Sequence, residues 1–226
     1  MSELPLHAAV LLVLWGVLVG LDLVSVPQAM LSRPLVAGTV AGWLAGDTEA
    51  GLRVGVLLEL FALDVLPIGA VRYPDYGPAT VAAAALAVGA PWELGLGLSV
   101  TLGLVLAVLG GWTLQMVRRS NAWAIQRHSA ALAAGESRAV RWLQYGALLR
   151  DATRAAGLTL LGLALAWCLA RYVHLDRRTA VGLTLVVIGA GLSAVAGGAV
   201  RSAGRGARLK WLVAGVAVGI LLVVLR

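Results

Sequence analysis

Glu59, Asp64, Arg72 and Asp75 fall within one stretch, LLELFALDVLPIGAVRYPDYGPAT (57–80), of a chain that is otherwise mostly aliphatic. Pro67, Pro74 and Pro78 break the same stretch, and Asp22 and Gln28 flank an earlier break at Pro27. A carboxylate alone in hydrocarbon costs about 2.5–3.5 kcal/mol on insertion scales, so an acid in an apolar helix faces a cavity or a partner. Its two oxygens can accept hydrogen bonds from neighbouring hydroxyls of a pyranose, and a glutamine adds both a donor and an acceptor. The candidate ligand residues are therefore Glu59, Asp75, Gln28 and Asp22. Each has a rival reading. Glu59 can instead form a salt bridge to Arg33, Arg53 or Arg72, and Asp75 can be a turn residue after Pro74. Asp22 can mark the end of the first helix.

Helical geometry limits how these acids combine. Glu59 lies inside the apolar run Val54–Leu63, and Asp64 follows five positions later. That spacing turns the side chain by about 500°, or roughly 140° away from Glu59, so a direct Glu59–Asp64 pair is not expected in a regular helix. Asp47 and Glu49 read as caps of the GDTEAG turn (46–51).

The elements that must position these residues belong in a membrane. Hydrophobic residues make up 60% of the 226 and charged residues 13%, and the mean hydropathy is +0.90. A soluble domain is nearer half apolar and a quarter charged. The runs 94–117 and 181–200 carry no charged residue and supply the ~20 apolar residues that a hydrocarbon core of about 30 Å demands. The fold class is an all-α polytopic membrane protein. Spans are expected at Leu6–Val24, Leu94–Val117, Thr153–Arg171, Thr179–Val200 and Leu209–Leu225. The first is read as a retained helix, since Glu3 stands where a signal peptide would be basic.

Residues 33–92 look different. Pro34–Gly46, the run up to Leu66, and Pro78–Gly89 are each too short to cross straight. All seven prolines fall within the first 91 residues. Broken or re-entrant helical hairpins are the expectation here, and such breaks favour binding sites in transporters. Gly38, Gly42 and Gly46 share one helix face, with Gly51 and Gly55 continuing the pattern, which predicts close helix packing. The chain is read as one membrane domain over 1–226. It divides into a site-bearing half (1–117), a cytoplasmic amphipathic segment (118–154) with a break at Gly135, and C-terminal transmembrane helices (155–226).

Charge supports that layout. Residues 1–100 carry three basic and eight acidic groups, and residues 101–226 carry fifteen basic and three acidic. The basic groups sit at the ends of apolar spans, as the positive-inside bias requires, so nucleic-acid binding is not indicated. His7, His128 and His174 are isolated, no phosphate-binding loop is visible, and no metal or cofactor is expected. Cys168, the single cysteine, reads as a small core residue.

The residues from Gln28 to Ala79 resemble the IIC membrane subunit of mannose-, fructose- and sorbose-family sugar phosphotransferase systems. The pieces that carry the resemblance are SRPLVAG, GWLAGD, GLRVGVLLEL, PIGA and YPD, in this order. A fainter likeness is LLRDATRAAGLTLLGLAL (148–165). The match is good over roughly the first 90 residues and looser beyond. The resemblance implies a permease subunit of the bacterial cytoplasmic membrane that pairs with a IID subunit to bind and translocate a hexose or amino sugar. It implies that phosphoryl groups come from separate IIA and IIB phosphocarriers, so the chain itself is not an enzyme and has no phosphorylation site. Ligand roles carry over first to Glu59, then to Asp75, then to Gln28 and Asp22. A transport-inactive regulatory or assembly protein derived from the family is the alternative, and a homo-oligomer stays open.

Overall fold

The computed structural model describes residues 5–63, 72–88 and 92–203, with 210–211, 213–215 and 217–218 beyond them. Among the described residues all regular structure is helical. The elements are α1 (Leu6–Asp22), α2 (Pro34–Ala45), α3 (Thr48–Ala62), α4 (Tyr76–Ala87), α5 (Trp92–Arg127), α6 (Ser129–Ala133), α7 (Ser137–Tyr172) and α8 (Arg177–Ala203). Asp64, the PIGA motif (67–70) and most of the span expected at Leu209–Leu225 lie outside the described residues.

The helices fall into two length classes. Among the described residues three stretches, Gly95–Arg127, Ser137–Tyr172 and Arg177–Val200, are long and apolar enough to cross a membrane. α5 and α7 have 36 residues each, about 54 Å at 1.5 Å per residue, so their ends reach beyond a hydrocarbon layer of about 30 Å. α2 and α4 have 12 residues each and α3 has 15, too short to span it. Long helices thus pack beside short, interrupted ones, as the proline distribution predicts.

α2 and α3 form the tightest pair, and the glycine spacing is the reason. A Cβ on Gly38 would lie 2.6 Å from the Gly51 carbonyl oxygen, and one on Gly42 would lie 2.7 Å from the Gly51 Cα. With no side chains on this face the two backbones touch, which is how small residues drive helix association where water supplies no driving force. Gly46 closes the hairpin at φ +99°, a left-handed conformation that glycine adopts without steric penalty. Asp47 then caps α3, its carboxylate accepting from the Ala50 amide at 3.0 Å. Glu49 pairs with Arg53 one turn on, at 2.5 Å, instead of capping.

α4 is the centre of the molecule. Every residue from Gly77 to Ala87 is buried, and its alanines allow α1, α2, α3, α5 and α7 all to pack on it. One apolar cluster joins α3, α4, α5 and α8 through Leu58, Val100 and Val187. A second joins α4, α5 and α7 through Leu106 and Leu158. A third joins α1, α2 and α4 through Leu12, Val19 and Val81. The Trp15 indole donates to the Ala37 carbonyl at 3.0 Å and ties α1 to α2.

Residues 118–154 comprise the end of α5, the short α6 and the start of α7. The expected break at Gly135 is present, at φ +73°. Cys168, expected in the core, is exposed on α7, where a polarisable side chain of its size suits an apolar surrounding as well as an interior.

Candidate functional site

The loop between α1 and α2, residues 23–33, carries the most unusual backbone among the described residues. Its Val26–Pro27 peptide is cis, and Gln28 and Met30 hold φ values of +59° and +62°. Left-handed conformations at residues with a Cβ cost of the order of 1 kcal/mol or more, so surrounding bonds must hold them. Asp22 supplies those bonds. It is 2% exposed, and its two carboxylate oxygens accept from the Ala29 amide at 2.6 Å and the Ser32 amide at 2.9 Å. The last residue of α1 therefore grips the loop that follows it.

The other end of the loop is held by Glu59. Arg33 forms an ion pair with Glu59, and the second Glu59 oxygen accepts from the Leu35 amide at 3.1 Å. A carboxylate at the first turn of α2 meets unpaired amides and the positive end of the helix dipole. Glu59 is thus committed to Arg33 and to the start of α2, the first of the three arginines the sequence offered as partners.

Asp75 lies deeper still. It is wholly buried, and its Oδ2 accepts from the Arg154 Nη1 at 2.5 Å; Arg154 itself is 5% exposed. The Arg154 Nε donates to the Asp151 Oδ1 at 2.9 Å, and Asp151 Oδ2 accepts from the Ser25 hydroxyl at 2.7 Å. One guanidinium therefore joins the start of α4, the middle of α7 and the α1–α2 loop. Space for Asp75 comes from Gly110, where a Cβ would lie 2.8 Å from that of Asp75. The Asp75 amide donates to the Ala107 carbonyl of α5 at 2.8 Å.

Between the loop, α5 and α7 lies an open cleft of about 580 Å³. That volume is in the range that holds a small polar molecule. Its lining includes Ser25 and Gln28 from the loop, Tyr73 from the segment before α4, Arg118 and Asn121 from α5, and Gln144 and Asp151 from α7. Arg118 is fixed over the Tyr73 ring at 5.3 Å and donates to the Tyr73 hydroxyl at 2.9 Å. Asn121 Oδ1 accepts from Arg150 Nε at 2.8 Å, which leaves the Asn121 amide hydrogens to serve as donors. Amides and hydroxyls that between them supply donors and acceptors, on four separate elements, suit a neutral ligand rich in hydroxyl groups.

Of the four residues singled out in the sequence, only Gln28 lines this cleft. Asp22 and Glu59 secure the loop that carries it, and Asp75 anchors Arg154. Asn121, Gln144, Asp151 and Ser25 are not singled out as ligand residues in the sequence, because the local pattern does not show which distant elements each of them meets. Among the described residues no group of three His, Cys, Asp or Glu side chains could hold a metal ion.

Long apolar helices beside short interrupted ones, with a polar cleft at a helix break, make an all-α polytopic membrane protein. The family model described as the PTS system sorbose-specific IIC component matches residues 6–223, and the chain belongs to that family. It is 32% identical over 126 residues to the mannose-specific EIIC component of Escherichia coli, covering 55% of this chain and 46% of that one. It is 30% identical over 149 residues to the sorbose-specific EIIC component of Lacticaseibacillus casei, covering 65% of this chain and 52% of that one. The fructose permease IIC component of Bacillus subtilis is 29% identical over 127 residues, covering 56% and 46%. The chain spans about half the length of the curated relatives it matches. In fold it is similar to a membrane protein of known structure at a TM-score of 0.79 and 22% identity, covering 99% of this chain and 94% of the other. It is also similar, at a TM-score of 0.62, 23% identity and the same coverage, to a chain in a complex of the mannose transporter ManYZ with a microcin.

Proposed function

We propose that the chain is the IIC permease subunit of a sugar phosphotransferase system and binds a hexose or amino sugar in the cleft between the 23–33 loop, α5 and α7. The observation that carries this reading is the cleft lining, where Gln28, Asn121 and Gln144 amides converge with the Ser25 and Tyr73 hydroxyls. Amides and hydroxyls discriminate among hydroxyl patterns because a mismatched sugar leaves a desolvated group unpaired. Membership of the IIC family and the mannose, sorbose and fructose named for its relatives point to the same class of ligand.

In this reading Gln28 contacts sugar directly. Asp22 and Glu59 hold its loop in the conformation that presents it, and Asp75 supports the opposite wall through Arg154. The chain works with a IID membrane subunit in the bacterial cytoplasmic membrane, and IIA and IIB phosphocarriers supply the phosphoryl group. Its own contribution is recognition and passage rather than phosphoryl transfer. Calorimetric titration of the chain purified together with its IID subunit tests this. Saturable binding of D-mannose, D-fructose or L-sorbose is expected, weakened about tenfold or more by Gln28→Ala. No binding of any of the three sugars overturns it.

A further inference from the structure

At one end of the cleft, polar groups are arranged in series. Arg154 gives Nη1 to Asp75 and Nε to Asp151, and Asp151 takes the Ser25 hydroxyl on its remaining oxygen at 2.7 Å. Ser25 and Asp151 both line the cleft. An ionised carboxylate has no hydrogen to give, so the Ser25 proton is committed to Asp151. What Ser25 has left to offer a ligand is the lone pairs of its oxygen.

We infer that Ser25 is a ligand-contacting residue that acts only as an acceptor, reading one sugar hydroxyl as a donor. Asp151 and Arg154 are positioning residues that fix this polarity. The inference rests on the reading of the cleft as the sugar site. Two carboxylates share one guanidinium, so Arg154 holds one Asp151 oxygen while the other takes the Ser25 proton. A hydroxyl that donates strongly also accepts more strongly, because bonds in a chain polarise one another.

The backbone supports the same role. The Ser25 amide donates to the Leu21 carbonyl at 2.8 Å, so Ser25 is still anchored to the end of α1 while its side chain reaches α7. Gln28, three residues on, lies on the same wall of the cleft and can both donate and accept. A fixed acceptor beside an adaptable amide gives the site a defined polarity at one ligand position, and a ligand lacking a hydroxyl there leaves the Ser25 oxygen unpaired.

The test uses the chain in complex with its IID subunit, with calorimetric titration of D-mannose, D-fructose and L-sorbose. The tightest-binding of the three is then compared with its monodeoxy analogues. In the unaltered complex one deoxy analogue should bind about threefold to tenfold more weakly, the worth of one neutral hydrogen bond. In Ser25→Ala the parent sugar should fall to about that affinity and the same analogue should lose nothing further, a non-additive cycle that general loosening of the loop does not produce. Asp151→Asn should shrink the same discrimination while Ser25→Thr, which keeps the hydroxyl, retains it. Ser25→Cys, similar in size and a poor acceptor, gives the same reading if the alanine variant does not assemble.

Parent binding unchanged in Ser25→Ala, or every analogue weakened by one common factor, overturns the inference. Gln28→Ala tells the two failures apart. If Gln28→Ala weakens binding and Ser25→Ala does not, only the acceptor role is lost. If neither changes binding, the cleft is not the sugar site and both readings fall.

Discussion

Arg154 and Asp75, 79 positions apart in the chain, meet at 2.5 Å in the interior and join the middle of α7 to the start of α4. Asp75 is wholly buried, so without Arg154 its charge, and that of Asp151 on the same guanidinium, would be stranded away from water. Removing one partner of such a pair costs about 3–5 kcal/mol, whereas replacing both with apolar groups of similar volume is far milder. Asp75→Ala and Arg154→Ala should each lower the melting temperature of the detergent-solubilised protein sharply. The double variant Asp75→Leu/Arg154→Met still leaves Asp151 without its guanidinium, so it should be more stable than Arg154→Ala but not more stable than Asp75→Ala. Single variants that melt like the unaltered protein would show that the pair is not a buried anchor.

The α2–α3 hairpin depends on bare backbone contact. Gly42→Ala places a methyl group where the Gly51 Cα lies 2.7 Å away, and Gly38→Ala meets the Gly51 carbonyl. Each should destabilise by about 1–3 kcal/mol, the usual cost of overpacking. Gly157→Ala, where a Cβ would meet nothing within 4 Å, should be neutral or slightly stabilising because alanine favours helix. Thermal unfolding of the three variants side by side separates a packing requirement from a general intolerance of glycine replacement.

Glu59 holds α2 by two means, the Arg33 ion pair and the bond from the Leu35 amide. Arg33 is 37% exposed, so the ion pair alone contributes no more than about 1 kcal/mol. Glu59→Gln keeps an oxygen for the Leu35 amide and should cost little stability. Glu59→Ala loses the cap as well and should cost about 1–2 kcal/mol. Amide hydrogen exchange at Leu35 reads the difference, with protection retained in the glutamine variant and lost in the alanine variant.

Asp176 caps α8 from the solvent side. Its carboxylate accepts from the Thr179 hydroxyl at 2.6 Å and from the Arg178 and Thr179 amides. These bonds, those from Thr179 foremost, hold its pKa below the ordinary value of 3.8. A depressed carboxylate stabilises the folded form fully above the unfolded value and loses that contribution as pH falls through the lower folded value. The protection factors of amides in the first turn of α8, corrected for the intrinsic pH dependence of exchange, should therefore fall below about pH 4. In Asp176→Asn this pH step should vanish, and its persistence would assign the cap elsewhere.

Much of the fold is legible in local pattern. Charge-free apolar runs mark α5 and α8, Pro34 and Gly46 bound α2, Asp47 caps α3, and four-residue glycine spacing predicts the α2–α3 contact. Helix ends within the basic segment are not legible from hydropathy. Arg118 and Arg119 end an apolar run without ending a helix, since arginine is a good helix former, and α5 continues to Arg127. The site is less legible than the fold. Glu59 and Asp75 stand out because acids are rare in apolar sequence, but rarity does not reveal which partner a folded chain provides. Asp151, Asn121 and Gln144 sit among other polar residues of a basic segment, and only the crossing of α1, α5 and α7 brings them opposite Gln28.

The central claim is that sugar occupies the cleft beside Gln28, and ligand protection tests it most directly. Ala147 lines the cleft without taking part in its polar contacts, and Cys168→Ser removes the single native thiol. In that background, Ala147→Cys in the IID complex would be labelled with a charged methanethiosulfonate reagent. Labelling would be followed with and without a saturating sugar whose binding has been measured on the same sample. The account predicts at least tenfold slower labelling with sugar bound. An unchanged rate, with sugar demonstrably bound, would place the sugar elsewhere and contradict it.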